Sequence, residues 1–292
     1  MATVNTYNGT NGDWTDVSNW SQGSAPTTNE IIVIPKVAAA ITLDTNLDAS
    51  AKDFAAVIVQ KGSNVTIGGS GNALKCACSG ATAPGIIRHE GAKPFYLKAD
   101  HASLDILQVE CNSNNQTLAM QIDDDATAKI LKVRLLKGKL ETTTGITFLP
   151  YIEVGRRDNP DADANLLVDT HASLVLDRIV QNAGTVTIKR EVTDAVCAGG
   201  RMIIDGAQPA TNVYVAGGTV QYDSTGTLTL ATVFAGLLDF TKTWKSKVVT
   251  TLRGIRPGHI RLHDGVTVTN PEFVIGVATF GDSADGGGDG SI

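Results

Sequence analysis

The chain has 292 residues, a formal net charge of −6, and 42% hydrophobic, 18% charged and only 5% aromatic residues, with 30 glycines. The hydrophobic share excludes a disordered chain, and the acidic balance without a dense Lys/Arg block excludes a nucleic-acid-binding surface. With so few rings, a core has to be filled by Val, Ile, Leu and Ala between Thr and Gly, which suits short strands and tight turns better than helices.

The first residues carry neither a basic start nor an apolar h-region, so no signal peptide is expected, and no apolar run is long enough to span a bilayer. Trp14 and Trp20 then stand six residues apart, just before the first regular strand signal, Glu30 to Ile34. Two large rings at that place suit a cap on the end of a stacked fold, where interior and strand edges would otherwise be open. The other use of such rings is a platform for stacking a sugar. Further on, Ser50 is placed to cap a helical turn, but Val57, Ile58 and Val59 return the pattern to strand.

Six segments share one arrangement, in which a few apolar residues lead to a glycine and then to an alternating strand. They centre on Gly62, Gly138, Gly184, Gly218, Gly236 and Gly265, with spacings of 76, 46, 34, 18 and 29. Several spacings sit near multiples of about 18–25 residues, the range of a solenoid coil. His101 to Leu104 recurs as His171 to Leu174, preceded by Asp100 and Asp169. Units this short bury their apolar face only by stacking, with Val57, Val59, Val65, Ile67 and their counterparts inward. The pattern predicts an all-β chain forming a single-stranded right-handed parallel β-helix with an N-terminal Trp cap. Antiparallel β-sandwich domains are the alternative, disfavoured because two-residue hairpin signals are missing. The expected organisation is a cap with first strands over 1–35, a body over 36–270, and a C-terminal strand with a Gly/Asp-rich tail over 271–292.

Candidates for chemistry each lack a partner. Asp123, Asp124 and Asp125 are the most enzyme-like group, since paired carboxylates on a β-helix hydrolyse glycosides in the polygalacturonase family. That family also needs a Gly-His-Gly turn, and Gly258-His259-Ile260 lacks the second glycine. Asp158, Asn159, Asp161 and Asp163 offer oxygen ligands for calcium without an EF-hand's glycine and terminal glutamate. His259 and His263 have metal spacing only on a helix, which Gly254, Gly258 and Gly265 oppose. Cys76, Cys78, Cys111 and Cys197 are too few and irregular for a disulfide or zinc framework and read as small buried hydrophobes. The stretches 129–139 and 253–261 interleave basic and apolar residues and read as solvent-facing halves of strands. No catalytic residue, metal site or cofactor is expected, and no enzyme activity.

The segment with Trp14, Asn19, Trp20, Pro26 and Glu30 resembles the start of many β-helical proteins, among them bacterial surface adhesins and bacteriophage virion proteins. The resemblance covers about thirty residues as a motif and implies architecture more than activity. Without an export signal, it implies the virion case, assembled in the host cytoplasm. Its expectations are a capsid decoration or cement protein, homotrimeric and bound to the major capsid protein or other virion proteins. A tail fibre or tailspike module binding host polysaccharide is the alternative. Neither nucleic acid nor membrane is expected as a partner.

Overall fold

In the computed structural model, the described residues are 2–47, 52–76, 78, 85–99, 106, 108–124, 130–143, 149–156, 164–168, 176–207, 209–255, 257–274, 277–280 and 290–291. Among them there is no α-helix, one 3-10 turn at Val17–Asn19, and otherwise strands joined by short corners. The chain is an all-β parallel solenoid. It divides into two compact units, Met1–Ile152 with Asp163–Leu174, and Glu153–Ala162 with Val175–Ile292.

In the first unit, one column of parallel strands runs through Thr3–Thr6, Glu30–Ile34, Ala56–Val59, Ile86–His89 and Gln108–Asn112 to the start of Val133–Thr142. A second column stacks Ile41–Leu43, Val65–Ile67, Phe95–Ala99 and Met120–Asp124, then the end of Val133–Thr142 and Ala164–Val168, with Leu74–Cys76 also paired to Phe95–Ala99. Val133–Thr142 crosses from one column to the other at Gly138, whose φ of 95° is open to glycine but strained for other residues. Coils here are long. Ala56 pairs with Ile86, thirty residues on, and Ile86 with Gln108, twenty-two on.

The second unit repeats the plan with tighter coils. Its first column is Arg178–Gln181, Val192–Cys197, Ala210–Val215, Leu228–Val233, Lys247–Ile255 and Val266–Val274. Its second is Thr185–Ile188, Arg201–Ile204, Thr219–Tyr222, Leu237–Asp239, His259–Leu262 and Val277–Phe280. Arg201 pairs with Thr219 and Thr219 with Leu237, each eighteen residues on. Apart from the isolated bridges Tyr7–Trp20 and Gly69–Asn72, the antiparallel pairing among the described residues joins Gly290–Ser291 to Val277–Phe280. Parallel register sets the β-sandwich alternative aside.

The interior is built from like residues stacked on like. Val186, Met202, Val220, Leu238 and Ile260 follow one another in register, and all are buried. Each such side chain contributes roughly 1.5–3 kcal/mol of transfer free energy, most of it offset by chain entropy. Val57, Val59, Val65 and Ile67 lie inward as expected. The helical turn weighed at Ser50 lies outside the described residues, as does the His101/His171 echo.

Five of the six glycines that frame the sequence pattern have positive φ: Gly62, Gly138, Gly184, Gly218 and Gly236. Gly265 is a correction. It precedes Val266–Val274 in the first column, whereas Gly184, Gly218 and Gly236 precede second-column strands. The true continuation is Gly258, just before His259–Leu262, and the pattern also skipped Gly200 before Arg201–Ile204. With these included, the corners fall at 184, 200, 218, 236 and 258, close to one per coil.

The N-terminus is closed by rings and by polar side chains together. Trp14 and Trp20 are 2% and 3% exposed, pack edge to face at 4.9 Å, and continue to Tyr7 and Phe54. The Trp20 indole N–H donates to the Trp14 carbonyl at 2.8 Å. Such burial leaves neither ring a face for a sugar. Beside them, three outward backbone groups of the edge strand Thr3–Thr6 are occupied. Thr6 N–H donates to Ser21 Oγ, the Thr6 carbonyl accepts from Ser21 N–H, both at 2.9 Å, and the Val4 carbonyl accepts from Gln22 Nε2 at 2.8 Å. The edge is therefore blunted against addition of another strand.

Candidate functional site

Of the three candidate carboxylates, Asp123 is the one whose side chain falls among the described residues. Asp123 lies in the strand Met120–Asp124 in register with Lys98. Asp125, and the oxygen-rich loop of Asp158, Asn159, Asp161 and Asp163, lie outside the described residues. His259 is exposed on its strand and His263 is buried, so the two do not share a site. Among the described residues, no group of three or more His, Cys, Asp or Glu is placed to hold a metal ion.

All four cysteines are buried and free, as the sequence suggested. Burial pushes the thiols of Cys111 and Cys197 up to about 12, which leaves them inert as nucleophiles. The described cations of the two interleaved stretches face outward. Lys139 pairs with Glu141 at 2.6 Å, Lys132 stands 5.1 Å over the Tyr151 ring, and Arg253 pairs with Glu272 at 2.6 Å.

Two buried basic groups escaped the sequence reading. His89 lies two residues after Ile87 on one face of Ile86–His89, and its ring meets Phe95 edge-on at 5.8 Å. Burial drives its pKa down to about 4, while a contact with the Lys93 backbone pulls the other way. Lys247 has no exposed surface, and its ammonium position is ringed by the Thr243 carbonyl at 2.6 Å, Thr243 Oγ1 at 3.0 Å and the Lys245 carbonyl at 3.2 Å. His263 Nε2 lies 3.3 Å from the same Nζ, and its Nδ1 accepts from Gly265 N–H at 2.9 Å.

That last bond assigns the histidine's tautomer. Nδ1 holds no proton, so a neutral ring carries it on Nε2; Lys247 Nζ is itself a donor, so the 3.3 Å approach of the two is a contact and not a hydrogen bond. Burial and then the Lys247 charge lower the His263 pKa, and burial lowers that of Lys247 against the pull of Asp223. The cluster ties the 239–247 loop to the last coils and is sealed from solvent, with Trp244 edge-on to His263 at 5.2 Å. It is a staple with no room for substrate. Strand alternation was the available signal, because Lys247 shares a face with Val249 as His89 does with Ile87.

The outer faces are more informative. On the first column of the first unit, outward positions stack as Val4, Ile31, Ala56 and Ile86, and beside them as Thr6, Val33 and Ile58. Val4 is 46% exposed, and Ile31, Val33, Ile58 and Ile86 are half-buried. The second of these rows continues into an ion-paired ladder. Glu110 receives Arg88 Nε and Arg134 Nη1, each at 3.2 Å, from the coils on either side. An aliphatic field bordered by paired charges has the make-up of an interface core and its rim.

In the second unit, a shallow groove of about 520 Å³ is lined by Gly218, Gly236, Leu237, His259 and Arg261. It exists because the corners carry no side chains. Among the described residues, no helix is long and apolar enough to cross a membrane. Compared with protein-family models, curated proteins and solved structures, the chain has no match.

Proposed function

We propose that the chain is a non-enzymatic structural protein of a bacteriophage virion, a capsid decoration or cement protein that assembles as a homotrimer on the shell. The observation that carries the structural part is the outward aliphatic field of Val4, Ile31, Val33, Ile58 and Ile86. A β-solenoid strand normally turns polar residues to water, and a face that does otherwise calls for a protein surface. The occupant is a second copy of this chain. The blunted edge at Thr3–Thr6 removes strand addition as a route, so copies meet face to face in a closed set. The Arg88–Glu110–Arg134 ladder fixes the border of that contact without leaving an unpaired charge inside it.

The virion setting is supported by the resemblance of the segment from Trp14 to Glu30 to the first turns of phage β-helical proteins. Its test is mass spectrometry of purified particles. Many copies per virion, released together with or before the shell protein on mild dissociation, are expected. Absence from particles overturns the setting, and clearing of host polysaccharide by pure protein would favour the tailspike alternative.

A further inference from the structure

Three corner turns of the second unit each leave one backbone donor unused. In three successive corners, two consecutive N–H groups converge on a single carbonyl. Ala198 and Gly199 donate to Gln181, Ala216 and Gly217 to Cys197, and Phe234 and Ala235 to Val215. The next N–H in each corner belongs to Gly200, Gly218 and Gly236, and it has no acceptor among the described residues. These glycines have φ of 77°, 67° and 81°, and none is buried. By the spacing of stacked strands, the three donors recur about every 4.8 Å along the coils.

Cationic groups flank this row. Arg201 follows Gly200 directly and leans along the coils to Gln221 Oε1 at 2.7 Å. His259 and Arg261 line the groove that Gly218 and Gly236 floor, and neither makes an ion pair among the described residues. Leu237 adds one apolar side chain between them. Unused N–H groups beside guanidinium forks form an anion-binding surface.

We propose that this groove binds an extended acidic peptide segment of a partner protein, through carboxylates on Arg201 and Arg261 and peptide oxygens on the corner N–H groups. The register Arg201–Thr219–Leu237–His259 sets Arg261, two residues past His259, three coils and two residues from Arg201, roughly 16 Å. An extended peptide advances about 3.3 Å per residue, so acidic residues at i and i+4 share a face about 13 Å apart, within reach of the two long guanidinium side chains. A sugar chain is disfavoured because no aromatic ring lines the groove. The inference rests on the structural reading above, since it supplies the chemistry of a partner's docking segment.

The probe is a fluorescein-labelled heptapeptide with glutamates at its second and sixth positions, titrated into the full chain and followed by anisotropy. Saturable binding is expected, with amide NMR shifts at Gly200, Gly218 and Gly236. The double variant Arg201→Gln/Arg261→Gln should weaken binding by at least about tenfold, with circular dichroism and Trp244 emission unchanged. Equal binding of the glutamine version of the peptide, absence of binding, or capture of an oligogalacturonate in its place would overturn the inference. Sedimentation of the same samples reports self-association separately. A trimer that ignores the peptide loses this inference alone.

Discussion

The carbonyl of Gly218 lies 2.4 Å from the point where a Cβ on Gly236 would stand, and it accepts the N–H of Leu237 at 2.9 Å. Gly200 and Gly218 repeat the relation one coil earlier, with the same two distances. The corner is thus a stack of backbones in direct contact, and glycine is required twice over, by space and by positive φ.

Gly236→Ala should therefore cost more than conformational strain alone. An L-residue in that region costs about 1–2 kcal/mol, and the approach to a bonded carbonyl adds to it. Gly23 is the internal control, with φ of 65° and nothing within 4 Å of its absent Cβ. Urea unfolding of Gly23→Ala should show the strain alone, and Gly236→Ala at least about 1 kcal/mol more. Equal losses would mean that the stacked contact is unimportant.

His89 should make the protein acid-sensitive in a defined window. Its folded pKa of about 4 lies below the unfolded value near 6.5, so the unfolded state binds more protons between them. Its contribution is complete above pH 6.5 and is lost as pH falls toward 4. The shift corresponds to about 3 kcal/mol. His263 shifts in the same direction and adds to the same slope. His89→Leu should flatten the fall in stability between pH 7 and pH 4.5, measured by denaturant midpoint; an unchanged slope would place the sensitivity elsewhere.

The cap should behave as one unit of packing. Trp20 contacts both Tyr7 and Trp14 and bonds to the Trp14 carbonyl, so Trp20→Ala should destabilise by about 3–5 kcal/mol. It should also expose the edge at Thr3–Thr6, giving concentration-dependent aggregation by light scattering. A soluble variant of near-normal stability would contradict the capping role.

The thiols offer a simple readout of the core. With all four cysteines buried and free, none should react with a thiol reagent in the native protein, and all four should react after unfolding. Fast labelling of the native chain would show an opening that the packed coils do not contain.

Much of the architecture was legible because side-chain alternation has a fixed period and corner glycines recur. Val57, Val59, Val65 and Ile67 turned inward as their spacing required. What blurred the repeat was coil length. Steps of 20 to 30 residues in the first unit become steps of 16 to 22 in the second, so one period fits neither well. Gly265 was mistaken for a repeat corner because an alternating strand follows it too, though on the other column. The buried His89 and Lys247 were missed because polar residues were assigned to solvent before their face was counted. The outward aliphatic field stayed hidden for the converse reason. Ile31 to Ile34 reads as one apolar run, and only strand register separates its buried half from its half-exposed half.

Sedimentation velocity on the pure protein is the most direct test of the structural role, comparing the natural chain with Val33→Lys/Ile58→Lys. The expected result is a trimer that falls to monomer in the variant, with the circular dichroism spectrum and unfolding midpoint preserved. A natural chain that stays monomeric at about 10 μM, well above the Kd of a stable assembly, or a variant that still forms trimers, would contradict assembly through this face.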